Sequence, residues 1–220
     1  MISAKRIYRR FRKNWNGQIL KIWPFLIGQI GGNIGSIKIK KEEGIIMKTT
    51  TKSTTLLTVT GLFAAMITLM TAYICHIPYG ANGGYIHFGD ALIYIAAAIL
   101  PRPYALAAAA LGGGLADLLT APMWAPATII IKMLITLPFT SENGKILEKR
   151  NLAAPFIAMI FTVGGYYIAE GIMFGSFYTA IASAAGNVIQ GAGSAIIFFV
   201  LGTALDKAHL KVKTNQILCH

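Results

Sequence analysis

The chain has 220 residues, of which 55% are hydrophobic and 13% are charged, and its mean hydropathy is +0.60. Soluble domains carry a charge on roughly a quarter of their residues, so this composition excludes an ordinary soluble protein and indicates a helical membrane protein. The formal charge of +12 does not indicate nucleic-acid binding, because half of the Lys and Arg residues lie in residues 1–46 and no basic patch interleaved with aromatic residues follows them.

Residues 1–46 are unlike the remainder of the chain. They begin with a strongly basic stretch, and their apolar residues 19–37 are interrupted by a lysine, a proline and four glycines, which is typical of neither a spanning helix nor a signal peptide. Residues 41–46 back-translate to a purine-rich stretch just before Met47, as in a bacterial ribosome-binding site. We therefore expect the native chain to start at Met47, with residues 1–46 upstream of that start or disordered. The alternative is a translated, basic amphipathic extension on the cytoplasmic leaflet.

Residues 47–220 contain six apolar segments, which predict an all-α, polytopic membrane domain. The segments are residues 55–76, 88–100, 104–121, 125–140, 152–174 and 178–205. If all six span the membrane, nine of the ten Lys and Arg residues after Met47 lie on one side, and the opposite connections have none. This partition predicts six transmembrane helices with both termini in the cytoplasm. The second and fourth segments are short for a span of about 20 residues, so we expect them to extend into flanking residues.

A glycine-rich stretch, residues 83–90, leads directly into the second segment. It reads Gly-Gly-Tyr-Ile-His-Phe-Gly-Asp and places His87 and Asp90 three positions apart, on one face if the helix begins near Phe88. The two leading glycines provide hinge freedom, so the loop before this helix is predicted to be a lid. A carboxylate at the edge of the hydrocarbon layer is costly and normally has a partner or a function.

The other polar residues of the segments lie at a similar depth. In the six-helix topology four ionisable residues and two amides fall in the outer half of the membrane, namely Asp90, Asp117, Lys132, Glu170, Asn187 and Gln190. Burying Lys132 unpaired costs at least about 2.5–3.5 kcal/mol, so we expect one of the three carboxylates to face it. One interpretation is an internal salt-bridge network. The other is a polar, outward-facing pocket for a small organic molecule, in which Lys132 affects affinity.

Aromatic side chains and two polar stripes favour the pocket. The residues placed to provide stacking surface are Tyr85, His87, Tyr94, Trp124 and Tyr166. Helical spacing groups Thr162, Tyr166 and Glu170 on the fifth segment, and Ser183, Asn187, Gln190 and Ser194 on the sixth. For Thr162, Ser183 and Ser194 alone, hydrogen bonding between helices is the better explanation.

Small residues recur along the first segment. A ridge of Thr60, Ala64, Thr68 and Ala72 has Gly61 and Ala65 beside it, and such a surface lets another helix approach closely. Packing within the chain is the more common role of such a ridge, and docking of another protein is the functional alternative.

Several classes of activity lack their motifs. The sequence has no Gly-x-x-x-x-Gly-Lys-Ser/Thr loop, no His-Glu-x-x-His and no Gly-x-Ser-x-Gly, so we expect neither nucleotide hydrolysis nor enzyme activity. His76, His87 and Asp90 are an alternative metal site, but their spacing is not diagnostic. A proton-coupled secondary carrier of a small organic solute is the alternative transport mechanism, since it also needs buried charged residues. Such a carrier would place titratable groups along a through-path, and the inner half of the predicted bundle has none.

Five features resemble the S components of energy-coupling-factor (ECF) vitamin transporters, in the riboflavin-transporter-like branch. They are the small-residue-rich first segment, the Gly-Gly-Tyr-Ile-His-Phe-Gly-Asp junction, a proline-bearing inner turn, Gly-Gly-Gly-Leu-Ala-Asp-Leu-Leu in the third segment, and Ala-Pro-Ala-Thr-Ile-Ile-Ile-Lys at the start of the fourth. The resemblance covers Met47 to about Lys207. It departs from the family at the first-segment ridge, which is not a strict Ala-x-x-x-Ala.

The resemblance implies a six-helix, substrate-binding subunit of the bacterial cytoplasmic membrane with no ATPase of its own. Such a subunit binds a vitamin or precursor, here pyridoxine-, thiamine-precursor- or riboflavin-like, near the outer face under the first loop. It docks through its first helix onto a transmembrane coupling subunit carried by two ATPase subunits. Toppling of the subunit in the membrane then carries the substrate inward. Met47-Lys48 lacks the Met-His motif of the cobalt and nickel members, so a metal substrate is not expected. We also expect no cofactor and no nucleic-acid partner.

Overall fold

The computed structural model describes residues 39–79, 82, 84–142 and 144–211. The chain divides into two compact units, Met1–Thr49 and Thr50–His220. In the first unit the described residues are 39–49, and all of them are helical. The predicted domain boundary at Met47 therefore stays a prediction, because most of residues 1–46 lie outside the described part.

The described residues are mostly helical, as the sequence predicts. Helix α1 is Ile39–Leu69 and continues into a π turn, Met70–Ile74. Two short strands, β1 at Ile77–Pro78 and β2 at Tyr85–Ile86, precede α2 at Asp90–Ile99. The remaining elements are α3 at Arg102–Thr120, a 3₁₀ turn at Pro122–Trp124, α4 at Ala125–Leu134, α5 at Lys149–Phe174 and α6 at Phe177–Lys207.

In the part of the chain that the structure describes, three helical stretches are long and apolar enough to cross a membrane. They are Ser53–Ile74, Lys149–Phe174 and Phe177–Lys207, and they expose large apolar side chains such as Ile172 and Ile196. The chain is therefore a helical membrane protein. Helices α2 and α4 have 10 residues each, which is about 15 Å, or half of the roughly 30 Å hydrocarbon layer. The six-helix count with cytoplasmic termini remains a prediction.

Helix α2 is the most enclosed of the described helices. Every residue from Asp90 to Ile99 except Leu92 is buried, which suits a helix that is apolar on all sides. Tyr94 was predicted to line a pocket, but the structure places it in the core. Its ring stacks on Phe139 with 4.9 Å between centroids and meets Phe198 edge-on at 5.9 Å, because its position lies one turn deeper than Asp90.

A run of three glycines brings α3 close to two neighbouring helices. A Cβ added at Gly112 would lie 2.7 Å from Ile67 of α1, and one at Gly113 would lie 2.7 Å from Cγ of Lys132 on α4. Only residues without a side chain allow these approaches. The glycine run therefore fixes α3 between α1 and α4 and positions Asp117, in the last turn of α3, beside the start of α4.

Helix α4 ends earlier than the predicted segment 125–140. It stops at Leu134, and residues 135–138 form turns in which the Thr136 backbone N donates to the Met133 carbonyl at 3.1 Å. Pro138 disfavours helical geometry in the residue before it. Arg150 of α5 donates from Nε to the Pro138 carbonyl at 2.8 Å, so α5 binds the turns that follow α4.

Candidate functional site

A short β-hairpin precedes α2. Ile77 pairs with Ile86 and Pro78 with Tyr85 in an antiparallel register, and the Tyr79 backbone N donates to the Gly84 carbonyl at 3.0 Å. We call residues 77–79, 82 and 84–86 the hairpin. They occupy the loop predicted to be a lid, and its predicted hinge residue Gly83 lies outside the described residues.

The hairpin covers a cavity of about 50 Å³. The described lining comes from the hairpin, α3, the 3₁₀ turn, α5 and α6, and comprises Tyr79, Asn82, Gly84, Tyr85, Ile86, His87, Asp117, Trp124, Tyr166, Glu170, Ser183, Gly186, Asn187 and Gln190. Most of the site residues that were predicted from membrane depth and helical spacing therefore line this one cavity.

Two buried carboxylates bind the hairpin. Asp117 of α3 accepts a hydrogen bond from the Tyr85 hydroxyl. Glu170 of α5 accepts from Nδ2 of Asn82 at 2.5 Å and from Oγ of Ser183 at 2.9 Å. Burial raises the pKa of Tyr85, and the charge of Asp117 raises it further, so the phenol keeps its proton and acts as the donor.

Two neutral contacts anchor the hairpin further. Trp124 Nε1 donates to the Asn82 carbonyl at 3.3 Å, and the Tyr79 hydroxyl donates to the Ala182 carbonyl of α6 at 3.3 Å. The Tyr79 ring also occupies the space that a side chain at Gly186 would need. The hairpin is thus bound to α3, the 3₁₀ turn, α5 and α6 at once.

His87 lies before α2 and not on its face, because the helix begins at Asp90. Its Nδ1 accepts from the Gly89 backbone N at 3.1 Å, and its own backbone N donates to Oε1 of Gln190 at 3.4 Å. Burial lowers the pKa of His87 to about 3, and the positive charge of Lys132 contributes to the lowering. The imidazole is therefore neutral at pH 7.

Beneath the cavity Lys132 forms an ion pair with Asp90. The Lys132 Nζ lies 2.6 Å from Oδ1 of Asp90, and Gln190 donates from Nε2 to Oδ2 of the same carboxylate at 3.0 Å. The Lys132 ammonium is also 5.4 Å from the centroid of the Tyr166 ring. Neither Lys132 nor Asp90 lines the cavity. The predicted internal salt bridge is thus found at this pair, and the predicted polar pocket is formed by the other residues above it.

Eight of the ten predicted site residues line the cavity, and Lys132 and Asp90 are the two that do not. Of the stripe residues, Thr162 and Ser194 are fully buried elsewhere. Sequence reasoning missed Tyr79, Asn82, Ile86 and Gly186. The available signal for the loop residues was the Asn82-Gly83 dipeptide, which is typical of a hairpin turn, and no sequence signal pointed to Gly186.

The predicted docking ridge on α1 divides between two environments. Thr60, Ala64 and Ala72 are buried, and Thr68 donates from Oγ1 to the Gly112 carbonyl of α3 at 3.0 Å. Ala64 and Thr68 contact α3 at Gly112, so this side of the ridge serves packing within the chain. Gly61 and Ala65 are exposed, and a Cβ at Gly61 would meet nothing within 4 Å.

Within the described residues no group of three His, Cys, Asp or Glu side chains could hold a metal ion. The alternative site of His76, His87 and Asp90 does not assemble. His76 instead stacks on Tyr85, with 4.0 Å between ring centroids.

The cavity, the hairpin and the ion pair all lie within residues 51–207, which match the family described as the ECF-type riboflavin transporter, S component. The chain belongs to this family. The match confirms the resemblance seen in the motifs, and it identifies a component of a membrane transporter for vitamin uptake, not a member of an enzyme family. The chain is also similar to a protein of Pyrococcus woesei described as an uncharacterized protein in the gap 3′ region. The two are 29% identical over 132 residues, which cover 56% of this chain and 88% of the relative.

Proposed function

We propose that this chain is the substrate-binding S component of an ECF-type transporter and that the hairpin-covered cavity holds a small vitamin or vitamin precursor. The observation that carries the proposal is the convergence of Asp117, Glu170 and Gln190 with the rings of Tyr85 and Trp124 around one cavity. A few convergent polar groups within an aromatic wall are typical of small-molecule sites.

Binding requires the hairpin to move. The cavity of about 50 Å³ compares with roughly 300–1,000 Å³ for pockets that enclose drug-sized ligands. The hairpin is held by individual hydrogen bonds to Asp117, Glu170 and the Ala182 carbonyl, worth about 1 kcal/mol net for the carbonyl and about 1.5–3 kcal/mol for each carboxylate if it is charged. Opening these contacts admits the substrate, and closing them excludes water from it.

Coupling of transport to ATP hydrolysis requires a surface on which the other transporter subunits dock. We propose that this surface is the exposed face of α1. Gly61 and Ala65 form a shallow notch between exposed Leu57, Leu62 and Leu69. A small-residue notch allows close approach of a partner helix. We propose that a transmembrane coupling subunit with two ATPase subunits docks here, in a bacterial cytoplasmic membrane that the chain crosses six times with both termini inside.

Two measurements test the function. The chain is purified from its native membrane and denatured, and mass spectrometry identifies the released small molecule. Uptake of that compound is then measured in liposomes with and without the coupling and ATPase subunits. ATP-dependent uptake that needs those subunits supports the proposal. Uptake driven by a proton gradient through the chain alone supports the secondary carrier.

A further inference from the structure

Among the described residues, two carboxylates in the cavity wall form no salt bridge. Asp117 is 3% exposed and Glu170 is 2% exposed, and their hydrogen-bond donors are the neutral side chains of Tyr85, Asn82 and Ser183. The described lining residues include neither Lys nor Arg, and Lys132 is already paired with Asp90 below the cavity.

A buried carboxylate requires compensation, since removing an ion from water costs several kcal/mol even after the protein relaxes. For Asp90 the chain supplies that compensation with the Lys132 ammonium at 2.6 Å and the Gln190 amide at 3.0 Å. For Glu170 it supplies neutral donors, and for Asp117 it supplies neutral donors and the charge of Lys132, whose ammonium is itself paired with Asp90. A cationic ligand would therefore give the two cavity carboxylates the ion-pair partner that the described part of the chain does not provide.

The remaining wall also suits a cation. The rings of Trp124 and Tyr166 lie 6.0 Å apart at an interplanar angle of 66°, and both line the cavity together with Tyr85. The Lys132 ammonium already lies 5.4 Å from the centroid of the Tyr166 ring, so the remaining aromatic surface comes from Trp124 and Tyr85. Aromatic faces attract cations through the ring quadrupole. The side-chain amide of Asn187 forms no hydrogen bond with any described residue, so it can donate to or accept from a heteroatom of a ring.

We infer that the cavity selects a positively charged, flat nitrogen heterocycle and rejects its phosphorylated or carboxylated forms. This inference rests on the proposed function. A protonated amine or ring nitrogen binds between Asp117 and Glu170, the ring packs on the aromatic wall, and Asn187 binds a polar ring substituent. An anionic substituent would be placed beside two like charges, with no basic side chain in the described wall to receive it.

Two ring series, in each of which one substituent is changed from cationic to neutral to anionic, test the inference. The first is pyridoxamine, pyridoxine and pyridoxine phosphate. The second comprises the aminomethyl, hydroxymethyl and phosphoester forms of a methylated aminopyrimidine. Binding to the full chain in lipid nanodiscs at neutral pH is measured by calorimetry. In at least one series the cationic member should bind at least about tenfold more tightly than the neutral one, or 1.4 kcal/mol, and the phosphate ester should bind least.

Matched variants separate charge recognition from anchoring of the hairpin. Glu170→Gln and Asp117→Asn keep the shape of the wall and should reduce the preference for the cationic member towards equality. Glu142→Gln, which changes an exposed carboxylate outside the cavity, should leave the preference unchanged. If the variants weaken all members of a series by the same factor, the carboxylates only anchor the hairpin and the inference is overturned.

The outcomes also distinguish the inference from the proposed function. Tightest binding by a neutral or phosphorylated member overturns the inference and leaves the S-component function intact. If no probe binds, the charge of the compound released from the natively purified chain decides: a cation supports the inference, and a neutral or anionic compound overturns it. If no probe binds and no compound is released, both proposals fail.

Discussion

The ammonium of Lys132 on α4 lies 2.6 Å from the carboxylate of Asp90 on α2, and both side chains are at most 1% exposed. Gln190 of α6 donates to the same carboxylate at 3.0 Å, and the ring of Tyr166 on α5 lies 5.4 Å from the ammonium. One ion pair therefore joins four helices directly beneath the cavity. The charges of Lys132 and Asp90 compensate each other. The carboxylates that line the cavity are therefore Asp117 and Glu170, which form no ion pair in the described part of the chain.

Lys132→Met should destabilise the fold more than it weakens binding. Removing one partner of a buried pair leaves an uncompensated charge and costs about 3–5 kcal/mol, measured as a lower thermal midpoint in nanodiscs. The double variant Lys132→Met/Asp90→Leu, which removes both charges, should recover part of that loss. If Lys132→Met keeps its stability and loses at least about tenfold in affinity, Lys132 contacts substrate as the sequence suggested.

The sequence predicted that Lys132 has a carboxylate partner but not which one. Asp90, Asp117 and Glu170 lie at similar depth, and depth follows from counting residues along each helix. Which of the three carboxylates pairs with Lys132 depends on which helix the other helices enclose. Helix α2 is buried on nearly all sides, so Asp90 has no access to the hairpin, whereas Asp117 and Glu170 reach it.

The sequence predicted where a covering loop lies, but it did not predict that this loop forms a hairpin. Glycines and a following helix indicate a mobile connection, yet the pairing of Ile77 with Ile86 depends on contacts that Tyr79 and Asn82 make with distant helices. Similarly, the small ridge on α1 could serve either packing or docking. Only the position of Gly112 against Ala64 decides that one side of the ridge packs inward.

His87 should make the fold less stable as the pH falls. Its pKa is about 3 in the folded chain and 6.5 ordinarily, so between these values the unfolded chain binds the additional proton and stability decreases with decreasing pH. From about pH 7.5 to about pH 5 the loss is about 2 kcal/mol. His87→Asn removes the titration and keeps an acceptor for the Gly89 backbone N. Thermal midpoints should fall less steeply with pH in this variant than in the natural chain, and equal slopes would contradict the assignment.

Gly186→Ala should loosen the hairpin. The added methyl group would overlap the Tyr79 ring, which must then leave its position near α6 and lose the hydrogen bond to the Ala182 carbonyl. Loss of about 1 kcal/mol of anchoring corresponds to a roughly fivefold faster dissociation of the bound compound. The control is Gly164→Ala on α5, where an added Cβ meets nothing within 4 Å. Equal dissociation rates in the two variants would show that Tyr79 does not hold the lid.

Substitutions on α1 should separate docking from folding. Ala65 is exposed, so Ala65→Leu should bind substrate normally and lose ATP-driven uptake, because the larger side chain prevents close approach of the coupling subunit. Ala64 is 6% exposed and packs towards Gly112, so Ala64→Leu should instead lower the thermal stability by about 1–3 kcal/mol through overpacking. Ala192→Leu places the same bulk on an exposed position of α6 and should leave binding, stability and uptake intact.

Normal uptake by Ala65→Leu would place the docking surface elsewhere. Loss of uptake in both Ala65→Leu and Ala192→Leu would mean that any added bulk on the lipid-facing surface disturbs transport.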